Sequence, residues 1–188
     1  MHAMLLISLV GCAPAKPAQR PAAAWVGATV PELGVKFSKP SGWKVELGPP
    51  VTDETRSSDP QIGGMHFAGI DDHSTVVGLL RSAIRQPGMS PDQTVADMIQ
   101  AQRDASKQNE QKVVEDSQRQ IAGCPAWILT TDSHRMGFDM RVMTICFVSA
   151  EFEYKLAVAG QKDFFDDVRP KVMKLIDSME LIEPNKEK

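Results

Sequence analysis

The chain has 188 residues, 42% hydrophobic and 24% charged, a composition that supports one globular core of ordinary domain size. Its net charge of −3 gives no electrostatic reason to expect nucleic acid as a partner. No apolar run reaches the roughly 20 residues of a membrane-spanning helix, so no transmembrane segment is expected.

The chain begins with an apolar block over residues 3–10 (AMLLISLV), which fits the h-region of a signal peptide, typically about 7–15 residues. It runs into Leu9, Val10, Gly11 and Cys12. This sequence resembles the lipobox of bacterial lipoproteins. Ahead of the block stand only the amine of Met1 and His2, where that family carries Lys or Arg. The resemblance implies that residues 1–11 are removed as a signal peptide and that the Cys12 thiol takes a diacylglyceryl group. Acylation of the new amine, usually as palmitate, follows in that family. One chain binds a membrane only marginally, with K on the order of 10⁴ M⁻¹, whereas two or three make the anchor effectively permanent. Ala13 and Pro14 follow the cysteine in place of an acidic residue, which by the same resemblance implies the periplasmic side of an outer membrane.

Residues 13–24 (APAKPAQRPAAA) hold only Ala, Pro, Lys, Gln and Arg. They have too little apolar bulk to offset ordering entropy and read as a disordered tether. The lipidated cysteine and tether are expected over 12–29, one folded domain over 30–184 and a polar tail over 185–188.

Residues 35–40 and 43–47 alternate apolar and polar about a Pro40-Ser41-Gly42 turn, giving two short strands with Trp43, Val45 and Leu47 on one face. Gly48-Pro49-Pro50 and the polar run 52–60 form a loop. Residues 65–70 and 75–84 read as a hairpin about Asp71, Asp72, His73 and Ser74, since Asp and Ser stabilise turns. Ser90, Pro91 and Gln93 then spell a helix start with a capping box. Val95, Met98, Ile99 and Ala105 make a narrow stripe, so this helix covers a sheet. Residues 112–121 are polar enough for an edge strand. Residues 125–131 and 140–148 are apolar on both alternating faces, as central strands covered on both sides should be. A strand over 154–159 follows. The closing helix, 163–179, should face inward through Phe164, Val168, Val172, Leu175, Ile176 and Met179, kinked or restarted at Pro170. The order gives an α+β sandwich with a mainly antiparallel sheet.

Two further cysteines, Cys124 and Cys146, could form a disulfide in an exported protein. The expected turn at 136–138 places them as same-face diagonal neighbours, about 7–8 Å apart, beyond the usual bridge separation. Both sit among apolar residues, which favours free thiols.

The turn Pro40-Ser41-Gly42-Trp43-Lys44-Val45, the strand Tyr154-Lys155-Leu156-Ala157-Val158 and the closing FFDDVRPKVMKLIDSMEL with Ser178 resemble the PsbP-like superfamily. The resemblance covers residues 30–182 and implies an α/β/α sandwich. That superfamily includes the extrinsic photosystem II protein, a eukaryotic nuclear-transport factor and many bacterial lipoproteins of unassigned role. Function lives in sites and not in folds, so no photosynthetic role is carried over.

Chemistry-bearing patterns are sparse. His66, Asp71, Asp72 and His73, with Met65 as a soft donor, are the one local cluster of metal-ligand types. Without HxxxH or CxxC spacing, a solvated turn accounts for it better. Met136, Met140 and Met143 cluster in sequence, but Met140 and Met143 fall on opposite faces of a strand and read as core filling. Asp132, Ser133 and His134 lie within one short segment, whereas catalytic triads draw on separated segments. No GxSxG elbow is present, and Gly63-Gly64 lacks the rest of a phosphate loop. Asp163, Asp166 and Asp167 complement the dipole of the last helix. No cofactor is expected. The sequence therefore supports a lipid-anchored, non-enzymatic envelope protein that binds an unknown protein or envelope component through a sheet edge or loop surface. The alternative is an envelope small-ligand or metal-binding protein through His66, Asp71 and His73.

Overall fold

Period-two alternation carries most of the chain into antiparallel strands, and two amphipathic segments fold as helices against them. The computed structural model describes residues 24–48, 61–70, 75–84, 88–135 and 137–182. In chain order these form β1 (Trp25–Val30), β2 (Val35–Pro40), β3 (Lys44–Leu47), β4 (Gln61–Ala68), β5 (Val76–Ala83), α1 (Pro91–Gln108), β6 (Lys112–Ile121), β7 (Cys124–Arg135), β8 (Phe138–Val148), β9 (Phe152–Gln161), α2 (Lys162–Asp177) and β10 (Glu180–Leu181). The expected α+β class holds.

The strands make two sheets. A small one runs β1-β2-β10, and a large one runs β3-β4-β5-β9-β8-β7-β6. One face of the large sheet is roofed by the small sheet and α2, with Phe37, Trp43, Phe67, Leu79, Ile145, Leu156, Phe165 and Leu175 in one core. Trp43 sits 5.5 Å, centroid to centroid, from Phe67, which meets Phe37 edge-on at 5.7 Å. On the opposite face α1 lays Val95 and Ile99 against Leu129, Cys146 and Val148. The two-faced apolar pattern of β7 and β8 thus reflects cover on both sides.

The Pro40–Trp43 turn does more than join two strands. The Trp43 amide donates to the Pro40 carbonyl, and the chain crosses there from the small sheet to the large one. Gly69, at φ +76, approaches so closely that a Cβ would lie 2.6 Å from the Gly42 carbonyl oxygen, which only glycine permits. Ser178 explains its place in the closing motif. Its hydroxyl accepts the Ser38 amide at 2.8 Å and donates to the Leu175 carbonyl at 2.8 Å, fastening the end of α2 to β2.

Several expectations are corrected. The tether does not extend to residue 29, because β1 begins at Trp25 and pairs with β2 along its whole length, from Trp25↔Pro40 to Val30↔Val35. Lys174 lies over the Trp25 ring at 4.2 Å and ties that first residue to α2. In α1 the stripe ends on buried Ser106 instead of Ala105, and the Ser106 hydroxyl is satisfied by the Gln102 carbonyl. Ser90 accepts the Gln93 amide at 3.2 Å, but the Gln93 side chain donates to Asp97 at 3.0 Å, so only half of the capping box forms. In α2 it is Phe165 that is fully buried, while Phe164 is 44% exposed, because Phe165 is in phase with Val168, Val172 and Leu175. Pro170 neither ends nor restarts the helix; α2 is one helix held by core residues on both sides of the proline. Cys124 and Cys146 are free thiols on opposite faces, not diagonal neighbours. Cys146 stands opposite Trp127, and Cys124 is an odd number of residues from Trp127 along the strand.

Candidate functional site

Helix α1 is too narrow for the sheet it covers. It packs on β6, β7 and β8, while on the same face of the sheet His66 of β4 and Val76 and Leu80 of β5 are exposed. The helix is fixed in that off-centre place by Arg103. Its guanidinium makes two 2.8 Å bonds to the Asp116 carboxylate and lies 4.7 Å over the Trp127 ring, whose indole N–H also donates to Asp116. The Arg103 bond and, next to it, that of Trp127 hold the Asp116 pKa below its usual value against opposing desolvation.

Register defines the open half. Gly78 stands opposite His66 on one side and Ala157 on the other, and Leu80 pairs with Lys155, which in turn stands opposite Cys146. Val76, Gly78 and Leu80 of β5 therefore share a face with Lys155, Ala157 and Ala159 of β9, on the side occupied by α1. Val76 is 63% and Leu80 41% exposed, although β5 is an interior strand. Solvent-facing positions of an interior strand are ordinarily polar, so an apolar row there marks a contact surface.

Two connected troughs follow from this arrangement. One, of about 280 Å³, runs between α1 and the sheet and is lined by Met89, Thr94, Asp97, Met98, Ala101, Gln102, Cys146, Glu153 and Lys155. The other, of about 240 Å³, is lined by Val76, Gly78, Leu80, Lys155, Ala157 and Ala159. Lys155 lies on the boundary of both and is half-buried. Cys146 is the one thiol in the wall, and burial pushes it up to about 12, so it stays protonated at neutral pH. The Thr94 hydroxyl donates to the Ser90 carbonyl at 3.1 Å. These groups suit binding better than nucleophilic chemistry.

The sequence candidates separate. His66 projects from β4 on the open face and bonds Glu46 of β3 at 2.9 Å, while Asp71, Asp72 and His73 lie outside the described residues. Among the described residues no group of three or more His, Cys, Asp or Glu is placed to hold a metal ion. Leu9, Val10, Gly11 and Cys12 also lie outside the described residues. Asp132 is taken up by ion pairs with Arg141 at 2.6 Å and Lys162 at 3.1 Å, and His134 by a hydrogen bond with Asp139 at 2.8 Å. Met143 is fully buried in the core. Asp166 bonds Arg141 at 3.2 Å and joins α2 to the sheet. No helix among the described residues is long and apolar enough to cross a membrane.

Sequence reasoning missed Val76, Leu80, Lys155, Ala157 and Ala159 as surface residues. The apolar run of β5 resembles that of a strand buried on both faces, and only the lateral position of α1 shows that one face is bare.

No protein-family model and no curated protein sequence matches the chain. Solved structures do match in shape. The cyanobacterial PsbP (CyanoP) of Synechocystis aligns at TM-score 0.53 and 12% identity, over 88% of this chain and 97% of that one. LpqN of Mycobacterium tuberculosis, described as involved in cell envelope biogenesis, aligns at 0.50 and 14%, over 85% and 91%. A Bacteroides thetaiotaomicron protein aligns at 0.56 and 9%, over 86% of this chain but only 50% of its own. At these identities the likeness is one of fold: the chain has a PsbP-like α+β fold.

Proposed function

We propose that this chain is a lipid-anchored protein of the bacterial cell envelope that acts by binding, through the open half of its large sheet, and not by catalysis. The observation that carries the reading is the apolar row Val76–Leu80, exposed on an interior strand beside a helix that stops short of it. The partner surface is thus a sheet face, in place of the sheet edge or loop expected from sequence. The envelope setting is supported by the lipobox-like run ending at Cys12 and by the fold shared with LpqN. The Ala- and Pro-rich composition of residues 13–24 suits a leash between the headgroups and the domain.

A second reading, small-ligand binding on the same surface, is favoured by the two troughs that meet at Lys155. A metal version of it has less support, since His66 is engaged by Glu46.

The anchor is tested by mass spectrometry of the N-terminus of cell-derived protein. The expected species begins at Cys12 and carries acyl chains, and Cys12→Ala abolishes them and releases the chain to the soluble fraction. A chain that begins at Met1, unacylated and soluble, overturns the anchor.

A further inference from the structure

We propose that the apolar trough takes a single-chain amphiphile with an anionic head, the alkyl chain lying over Val76, Gly78, Leu80, Ala157 and Ala159 and the head held by Lys155. The proposal deepens the binding reading above and rests on it. Three features of the trough select this occupant. Its floor is made of small residues, Gly78, Ala157 and Ala159, with the larger Val76 and Leu80 before and after Gly78 on β5, so it is a shallow apolar depression that suits a narrow chain. From Val76 to Leu80 it spans about 13 Å at ~3.3 Å per residue, the length of a medium alkyl chain. At its end stands one cation, Lys155, the only charged group among the described residues that line this trough. An ammonium at the end of an apolar furrow is the charge complement of a carboxylate or phosphate head.

The neighbouring trough shapes the rest of the head. Beyond Lys155 it offers Thr94, Asp97 and Gln102, a set that accepts hydrogen bonds from hydroxyl or amine groups. The Asp97 carboxylate also disfavours a head that is anionic throughout. A phosphate next to Lys155, carrying an amine or hydroxyl that extends toward Asp97, satisfies both troughs together, and their combined size falls within the roughly 300–1,000 Å³ of ordinary ligand sites.

The test uses the full chain with Cys12→Ala, which removes acyl chains of its own, and a short-chain lysophosphatidylethanolamine below its micellar concentration. Calorimetry should show saturable binding that tightens by about two- to fourfold per added methylene. An alkyl maltoside with the same chain, lacking the anionic head, should bind about tenfold more weakly, and Lys155→Gln should erase that difference without changing thermal melting. Equal affinity of Lys155→Gln and its parent for the lysolipid, or equal affinity for both amphiphiles, overturns the proposal. So does the absence of saturable binding. If photo-crosslinks from Val76 then still reach an envelope component, the amphiphile is ruled out and the binding face stands; if they reach nothing, both fall.

Discussion

Arg81 projects from β5 into the roofed side of the sandwich, where it is 6% exposed, lies 4.5 Å from the Phe152 ring and bonds the Tyr154 hydroxyl. Its Nε and Nη1 have no hydrogen-bond partner among the described residues. Gly34 permits this close packing, since a Cβ there would stand 3.2 Å from Nη1 in a backbone at φ +65. A buried cation with orphan donors costs more than an apolar group of the same shape. Arg81→Met should therefore leave stability unchanged or raise it by about 1–2 kcal/mol, read as denaturant midpoint; a loss of that size would contradict this. Cys146 offers a second check. Raised to about 12 by burial, its thiol should resist alkylation in the native Cys12→Ala chain, while half-buried Cys124 reacts first and both react on unfolding. A disulfide in that chain would contradict the opposite-face register.

Ion pairs join the helices to the large sheet, and they set the acid stability of the fold. Arg141 holds Asp132 well below its ordinary 3.8, with Lys162 adding to it, and Arg103 with Trp127 does the same for Asp116. A folded-state pKa below the unfolded one means stabilisation that is complete above the unfolded value and lost as pH falls through it toward the folded value. Stability should therefore hold at neutral pH and decline below about pH 4. Asp132→Asn should flatten that decline more than Asp116→Asn, because the Asp132 side chain is 18% exposed against 33% and is less screened. Melting temperature against pH measures both, and identical acid limbs for parent and variants would contradict the assignment. Strands β2 to β9 and both helices were legible in the sequence because alternation, helical periodicity and, for α1, capping are local signals. The phase of α2 was not: Phe164 and Phe165 are equally apolar, and only the partner surface chooses between them. The start of the domain was missed because β1, with Gly27, Ala28 and Thr29, has a weak apolar signal and owes its strand to pairing with β2.

The whole molecule is a sandwich of unequal layers. One side of the seven-stranded sheet is roofed by the small sheet and α2, and among the described residues the other carries one helix, pinned by Arg103 to the β6–β8 half. The faces of β7 and β8 could be assigned from sequence, since each strand shows two apolar rows. The same two-row pattern on β5 gave no hint that one row meets water, because lateral placement of a helix is a property of the assembled layers. The central claim is that this bare row is the working surface. It is tested most directly by placing a photo-crosslinking side chain at Val76, or at exposed Phe138 on β8 as control, in the lipid-anchored chain in cells. The account predicts discrete adducts of constant mass from position 76 and none from 138, and equal or absent adducts from both positions would contradict it.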